Sequence, residues 1–91
     1  MEKQYTILGT AGLHARPTSA LVSAVSSFKS DITLEYVGKK VNLKSILGVM
    51  SLGVASGTTI TIAADGEDEA DAIAKVDAIM ETEGLGKYHE F

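Results

Sequence analysis

The chain has no cysteine and no tryptophan. Disulfides, thiol chemistry and a thiolate zinc site are therefore excluded. Histidine occurs only as His14 and His89. Two histidines so far apart, with no cysteine to help, do not make a metal site, and nothing in the sequence calls for a cofactor. Basic residues are few: Lys and Arg number 8 against 12 Asp and Glu, for a formal charge of −4. Nucleic-acid binding needs clustered Lys and Arg, so that class is disfavoured. No apolar run approaches the roughly 20 residues that span a bilayer. The start, Met1-Glu2-Lys3-Gln4, lacks the apolar stretch of a signal peptide. Glycine-rich nucleotide loops after a strand are also missing, so the chain is not expected to bind ATP. With 91 residues, 45% of them hydrophobic, the sequence reads as one small soluble cytoplasmic domain over 1–91.

What is present alternates between periods of two and about 3.6. Gln4 to Leu8 predicts a strand with Tyr5 and Ile7 on one face. Thr18 to Phe28 predicts an amphipathic helix burying Leu21, Ala24, Val25 and Phe28. Asp31 to Val37 and Lys40 to Leu43 predict a hairpin turning at Gly38-Lys39. Ser45 to Leu52 is a short apolar helical segment, and Gly53 to Gly57 is a loop. Thr58 to Ala64 predicts a strand burying Ile60 and Ile62. Glu67 to Glu83 predicts a helix with Ala72, Ile73, Val76, Ile79 and Met80 as its apolar stripe. Its first-turn acids, Glu67, Asp68, Glu69 and Asp71, read as a solvated helix start. Gly84 and Gly86 end it, and Lys87 to Phe91 reads as a frayed tail. The order β-α-β-β-α-β-α, with strands apolar on one face only, predicts an α+β fold. In it, three helices cover one face of an antiparallel sheet.

The stretch Gly12-Leu13-His14-Ala15-Arg16-Pro17-Thr18 carries the chemistry. A histidine and an arginine precede a helix whose first N–H groups lack intrahelical partners. Those donors and the helix dipole favour an anion. Pro17 suits the first turn, where its missing N–H costs nothing. An imidazole that titrates near neutrality can act as a nucleophile there. Arg16 offers planar donors to phosphate oxygens. Ser45 is a preferred helix N-cap and precedes a short apolar helix. Ile46, Leu47, Val49 and Met50 cannot all face inward on so short an element. Leu47 and Met50 are the candidates for a docking patch.

These residues resemble a known family. Gly12-Leu13-His14-Ala15-Arg16-Pro17 and Lys44-Ser45-Ile46-Leu47-Gly48-Val49-Met50-Ser51-Leu52 look like the two signature segments of HPr. That family comprises the histidine-containing phosphocarriers of the bacterial sugar phosphotransferase system. Leu34-Glu35-Tyr36, Val41-Asn42-Leu43, Ala64-Asp65-Gly66 and Glu83-Gly84-Leu85 match as well, in order along nearly the whole chain. A serine after the lysine of the second segment is similar to the low-GC Gram-positive form. The resemblance implies an open-faced β-sandwich of four antiparallel strands and three helices. It implies that His14 accepts a phosphoryl group on Nδ1 from the phosphoenolpyruvate-charged first enzyme. His14 then passes the group to IIA domains of sugar permeases, with Arg16 and Pro17 shaping the site. Ser45 matches a serine modified by an ATP-dependent kinase/phosphorylase, whose product is corepressor for a catabolite-control transcription factor. The expected protein is a monomeric phosphoryl-transfer intermediate rather than a stand-alone enzyme, with no direct nucleic-acid or membrane partner. A purely regulatory relative working through Ser45 would lack the histidine, so His14 favours the carrier.

Three departures stand out against the family pattern. Leu47 replaces a frequent methionine, a nearly isosteric change. Thr18 replaces a frequent alanine, and its hydroxyl could reach a phosphate or compete for local backbone bonds. Ser27 replaces a frequent lysine, which makes the first helix less basic and weakens steering toward an acidic partner.

Overall fold

The computed structural model describes residues 1–8, 15–84 and 86–88, with the side chains of 15, 16 and 86–88 outside that description. Its elements are β1 (Glu2–Ile7), α1 (Ala15–Val25), β2 (Asp31–Tyr36), β3 (Lys39–Asn42), α2 (Ile46–Ser51), β4 (Thr59–Asp65), α3 (Glu69–Thr82) and β5 (Gly86–Tyr88). Strands β3-β2-β4-β1 lie side by side in an antiparallel sheet. With three helices against it, this is the open-faced sandwich the sequence predicts.

The strands form where β-branched and aromatic residues alternate with polar ones, which suits a half-buried pleat. Along β4, Ile60, Ile62 and Ala64 are buried while Thr59 and Asp65 are exposed. Tyr5 and Ile7 of β1 and Ile32 and Leu34 of β2 turn to the same covered face. Against them pack Leu21, Val22 and Val25 of α1 and Ala72, Ile73, Val76 and Met80 of α3. On α1 it is Val22 rather than Ala24 that is buried. Two side chains of β1, Lys3 Nζ at 2.6 Å and Tyr5 Oη at 2.5 Å, donate to the Asp77 carboxylate and pin the strand to α3.

Three local expectations are corrected. Helix α1 begins at Ala15, three residues early, and ends at Val25. Pro17 is its third residue, a position whose N–H would have had no acceptor, so the helix extends past it without losing a bond. At the other end the Ser26 hydroxyl donates to the Ser23 carbonyl at 3.1 Å, a side-chain bond that competes with the helix. The tail does not fray throughout: Gly86–Tyr88 pairs antiparallel with β1, Thr6 opposite Lys87. Residues 89–91 lie outside the described residues.

The hairpin also turns one residue early, at Val37-Gly38, with φ of 51° and 75°. Two positive φ values in a row are what the twist of a two-residue hairpin demands. Glycine adopts them freely; a β-branched valine does so at a cost of ~1–3 kcal/mol.

The acids before α3 are more than a solvated start. Asp68 is the N-cap, yet its carboxylate makes no cap bond. It reaches 38–39 residues back, accepting from the Lys29 N–H at 2.8 Å, the Ser30 N–H at 2.9 Å and the Ser30 hydroxyl. The preceding Gly66 lies against Ser30 with no room for a side chain. The Ser30 hydroxyl first, and the Lys29 N–H after it, hold the Asp68 carboxyl below its ordinary value. A depressed pKa means stability that is present above the unfolded value, about 3.9, and lost as pH falls through the folded one. Asp68→Asn should therefore flatten the acid limb. Thermal melts followed from neutral pH to below about pH 4 are expected to fall more steeply for the parent chain than for the variant.

Candidate functional site

His14 and residues 9–13 lie outside the described residues, as does the Arg16 side chain. What is described is the ground on which that segment ends. It enters from β1, which finishes at Ile7, and leaves into the first turn of α1. Pro17 is buried in that turn. The turn holds no acidic residue, so its free N–H groups and dipole are left uncompensated. In contrast, α3 carries Glu69 and Asp71 in its first turn. A helix that starts beside a histidine and keeps its positive end unneutralised is suited to an anion there.

Thr18 is fully buried and its Oγ1 has no hydrogen-bond partner among the described residues. Bonding of this hydroxyl to the local backbone, one of its two expected uses, is not seen among those residues. A buried hydroxyl without a partner is destabilising. Thr18→Val keeps the shape and removes the polar atom. It is expected to stabilise the fold by about 1 kcal/mol, read as a rise in melting temperature of ~4–8 °C.

Ser45 sits where the sequence puts it, as the N-cap of α2. Its backbone is extended, φ −110° and ψ 112°, and its Oγ accepts the Gly48 N–H at 3.1 Å. Gly48 keeps the space beside that oxygen open: a Cβ there would lie 3.2 Å from Ser45 Oγ. The preceding residue is also anchored, with Lys44 Nζ donating to the Phe28 carbonyl at 2.6 Å. This tether links the start of α2 to the turn after α1. No acid occupies the first turn of α2.

Helix α2 divides its apolar residues as its length requires. Val49 is buried in the core. Leu47 is 83% exposed, Ile46 42% and Met50 38%. These three form a bare apolar surface on a helix packed against α1. Among the described residues no group of His, Cys, Asp and Glu gathers as a metal site, and no helix is long and apolar enough to cross a membrane.

The sequence missed the Asp68–Ser30 link and the Lys44–Phe28 tether. Both join residues distant in the chain, and no local pattern signals them.

The arrangement defines a small open-faced sandwich that presents a histidine segment at one helix start and a serine cap at another. Residues 1–82 match the family model of the phosphotransferase-system HPr component phosphorylation site. The chain is 40% identical to a histidine-containing phosphocarrier protein from Mycoplasma, with a TM-score of 0.93 over 96% of this chain and 99% of that one. It is 38% identical to a phosphocarrier protein HPr from Bacillus anthracis, TM-score 0.80, over 87% and 94% of the two chains. Crh, the catabolite repression protein of Bacillus subtilis, is 48% identical over 82% and 86%, TM-score 0.71, and that protein forms a swapped dimer. The chain belongs to the HPr family, the phosphocarriers of the bacterial phosphotransferase system.

Proposed function

We propose that His14 is the phosphoacceptor, taking a phosphoryl group from the phosphoenolpyruvate-charged first enzyme and passing it to IIA domains of sugar permeases. The observation that carries this reading is the acid-free first turn of α1, into which His14-Ala15-Arg16-Pro17 leads directly. The Nδ1 lone pair attacks phosphorus, the new P–N bond forms as the donor's bond breaks, and the imidazole proton stays on Nε2. The first-turn N–H groups and Arg16 hold the phosphoryl oxygens, and Pro17 fixes the turn. Such a group is held by donors alone, so it can leave again for the next protein. The chain acts as one monomeric domain over 1–91, in the cytoplasm, as an intermediate in phosphoryl transfer. Incubation with phosphoenolpyruvate and a Gram-positive first enzyme should add one acid-labile phosphoryl group by intact mass; no addition would overturn the reading.

Ser45 is the regulatory site in this proposal, modified by an ATP-dependent kinase/phosphorylase to make a corepressor for a catabolite-control transcription factor. A phosphate of about −2 charge at a helix start is electrostatically tolerated. It changes the surface beside exposed Leu47 and Met50, the docking residues for the first enzyme, more than it changes the fold. Ser45→Asp is expected to slow acceptance by His14 about tenfold or more through desolvation of an added charge in that contact. Equal initial rates for variant and parent would remove Ser45 from control of the carrier.

A further inference from the structure

The residue before the serine cap is tied down through both its backbone and its side chain. The Lys44 N–H donates to Asn42 Oδ1 at 2.9 Å, and the Ser45 N–H donates to the Asn42 carbonyl at 3.0 Å. These bonds hold the backbone of Lys44 and Ser45 as one turn. The half-buried Lys44 side chain leaves that turn and crosses to the Phe28 carbonyl at 2.6 Å. Phe28 lies beyond the end of α1 at Val25 and packs against the core. Helix α1 has no basic residue in its last turn. The Lys44 ammonium therefore supplies, from another element, the positive charge that a helix end favours. The next two N–H groups, of Lys29 and Ser30, go to Asp68. The turn after α1 is thus held by the start of α3 on one side and by the approach to α2 on the other.

The two holds differ in how easily they are exchanged. Asp68 takes its donations from fixed backbone N–H groups. Lys44 is a point charge on a flexible four-carbon stem, and its acceptor is a neutral carbonyl. A phosphate on the adjacent Ser45 would carry about −2 charge and three acceptor oxygens. Attraction scales with charge, so the phosphate outbids a carbonyl that bears only a fraction of a unit. The swing needs no change in the backbone bonds to Asn42.

We propose that Lys44 is a two-position switch. It holds the turn after α1 while Ser45 is unmodified, and it moves to the phosphate when Ser45 is phosphorylated, releasing the Phe28 carbonyl. This rests on the regulatory reading of Ser45 above and gives the modification a second effect besides added charge. Helices α1 and α2 pack together, and exposed Ile46, Leu47 and Met50 stand on α2. Without the tether, the helix that carries this apolar surface is held less firmly to its neighbour.

The test uses the full chain with phosphoserine placed at position 45 during synthesis, so that no kinase is required. Hydrogen exchange at the Phe28 N–H, which donates to the Val25 carbonyl at 3.2 Å, reads the turn. Phosphoserine and Lys44→Gln are each expected to speed this exchange about fivefold. Because both act by removing the same bond, the two together are expected to do no more than either alone. Lys39→Gln removes the same charge from an exposed side chain and should leave exchange within about twofold of the parent. Exchange unchanged by phosphoserine or by Lys44→Gln overturns the switch, and so does full additivity of the two. The regulatory reading is scored separately, on the rate at which each chain accepts a phosphoryl group from the charged first enzyme. Parent-like acceptance by the phosphoserine chain, with faster and non-additive exchange, removes Ser45 from control of the carrier and keeps the switch. Slow acceptance with unaltered exchange keeps that control and overturns the switch.

Discussion

His14→Ala is expected to accept no phosphoryl group from the charged first enzyme, whereas His89→Ala accepts one as readily as the parent. The magnitude is total because alanine offers no lone pair to phosphorus. In the sequence His89 has only Tyr88 and Glu90 beside it, and no role is expected for it. Arg16→Lys is the graded companion. Lysine keeps the charge but presents a point donor in place of a planar fork, so a loss of about tenfold is expected rather than abolition. Intact-mass time courses on the four chains separate these outcomes. Equal phosphorylation of His14→Ala and the parent would move the acceptor elsewhere in the chain.

The largest effect on stability is expected at Gly66. A Cβ there would lie 2.6 Å from Ser30 Oγ and 2.7 Å from Ser30 Cα. The second of these is backbone, which no rotamer change can move aside. Relief must come from shifting the strand-to-helix turn away from Ser30, and that breaks the three donations into Asp68. Overpacking of this kind together with lost hydrogen bonds amounts to about 3 kcal/mol, a fall in melting temperature of more than ~10 °C. Gly38→Ala is the comparison. It has φ +75° and nothing within 4 Å of an added Cβ, so only backbone preference is lost, about 1 kcal/mol. If the two glycines cost the same, close approach at Gly66 is not what that position requires.

How much of this was legible in the residues follows from how local each signal is. Alternation in Thr58 to Ala64 and the stripe Ala72, Ile73, Val76, Met80 are short-range patterns, and both elements and their buried faces follow from them. Ser45 is a helix cap because its neighbours in sequence make it one. Pro17 misplaced the helix start because a proline is tolerated throughout the first turn, so it marks a region and not a residue. The turn sits at Val37-Gly38, one position before the Gly38-Lys39 the residues suggest, because nothing about valine announces a positive φ. The fifth strand depends on β1 having an open edge beside it, a fact about the assembled sheet that Lys87 and Tyr88 do not carry. Asp68 looked like dipole compensation, which any acid there would supply; its specific partners arrive only when the fold closes. At the candidate site, His14, Arg16 and Ser45 stood out because short motifs carry them. Leu47 was separable from Val49 only once α2 had a side to bury.

The central claim is that this chain carries phosphate on a histidine nitrogen at the start of α1. Phosphorus NMR of the chain after reaction with phosphoenolpyruvate and the first enzyme tests it most directly. One resonance of an Nδ1-phosphohistidine is expected, lost on mild acid treatment and absent from His14→Ala. Absence of that resonance, or its persistence in His14→Ala, would contradict it.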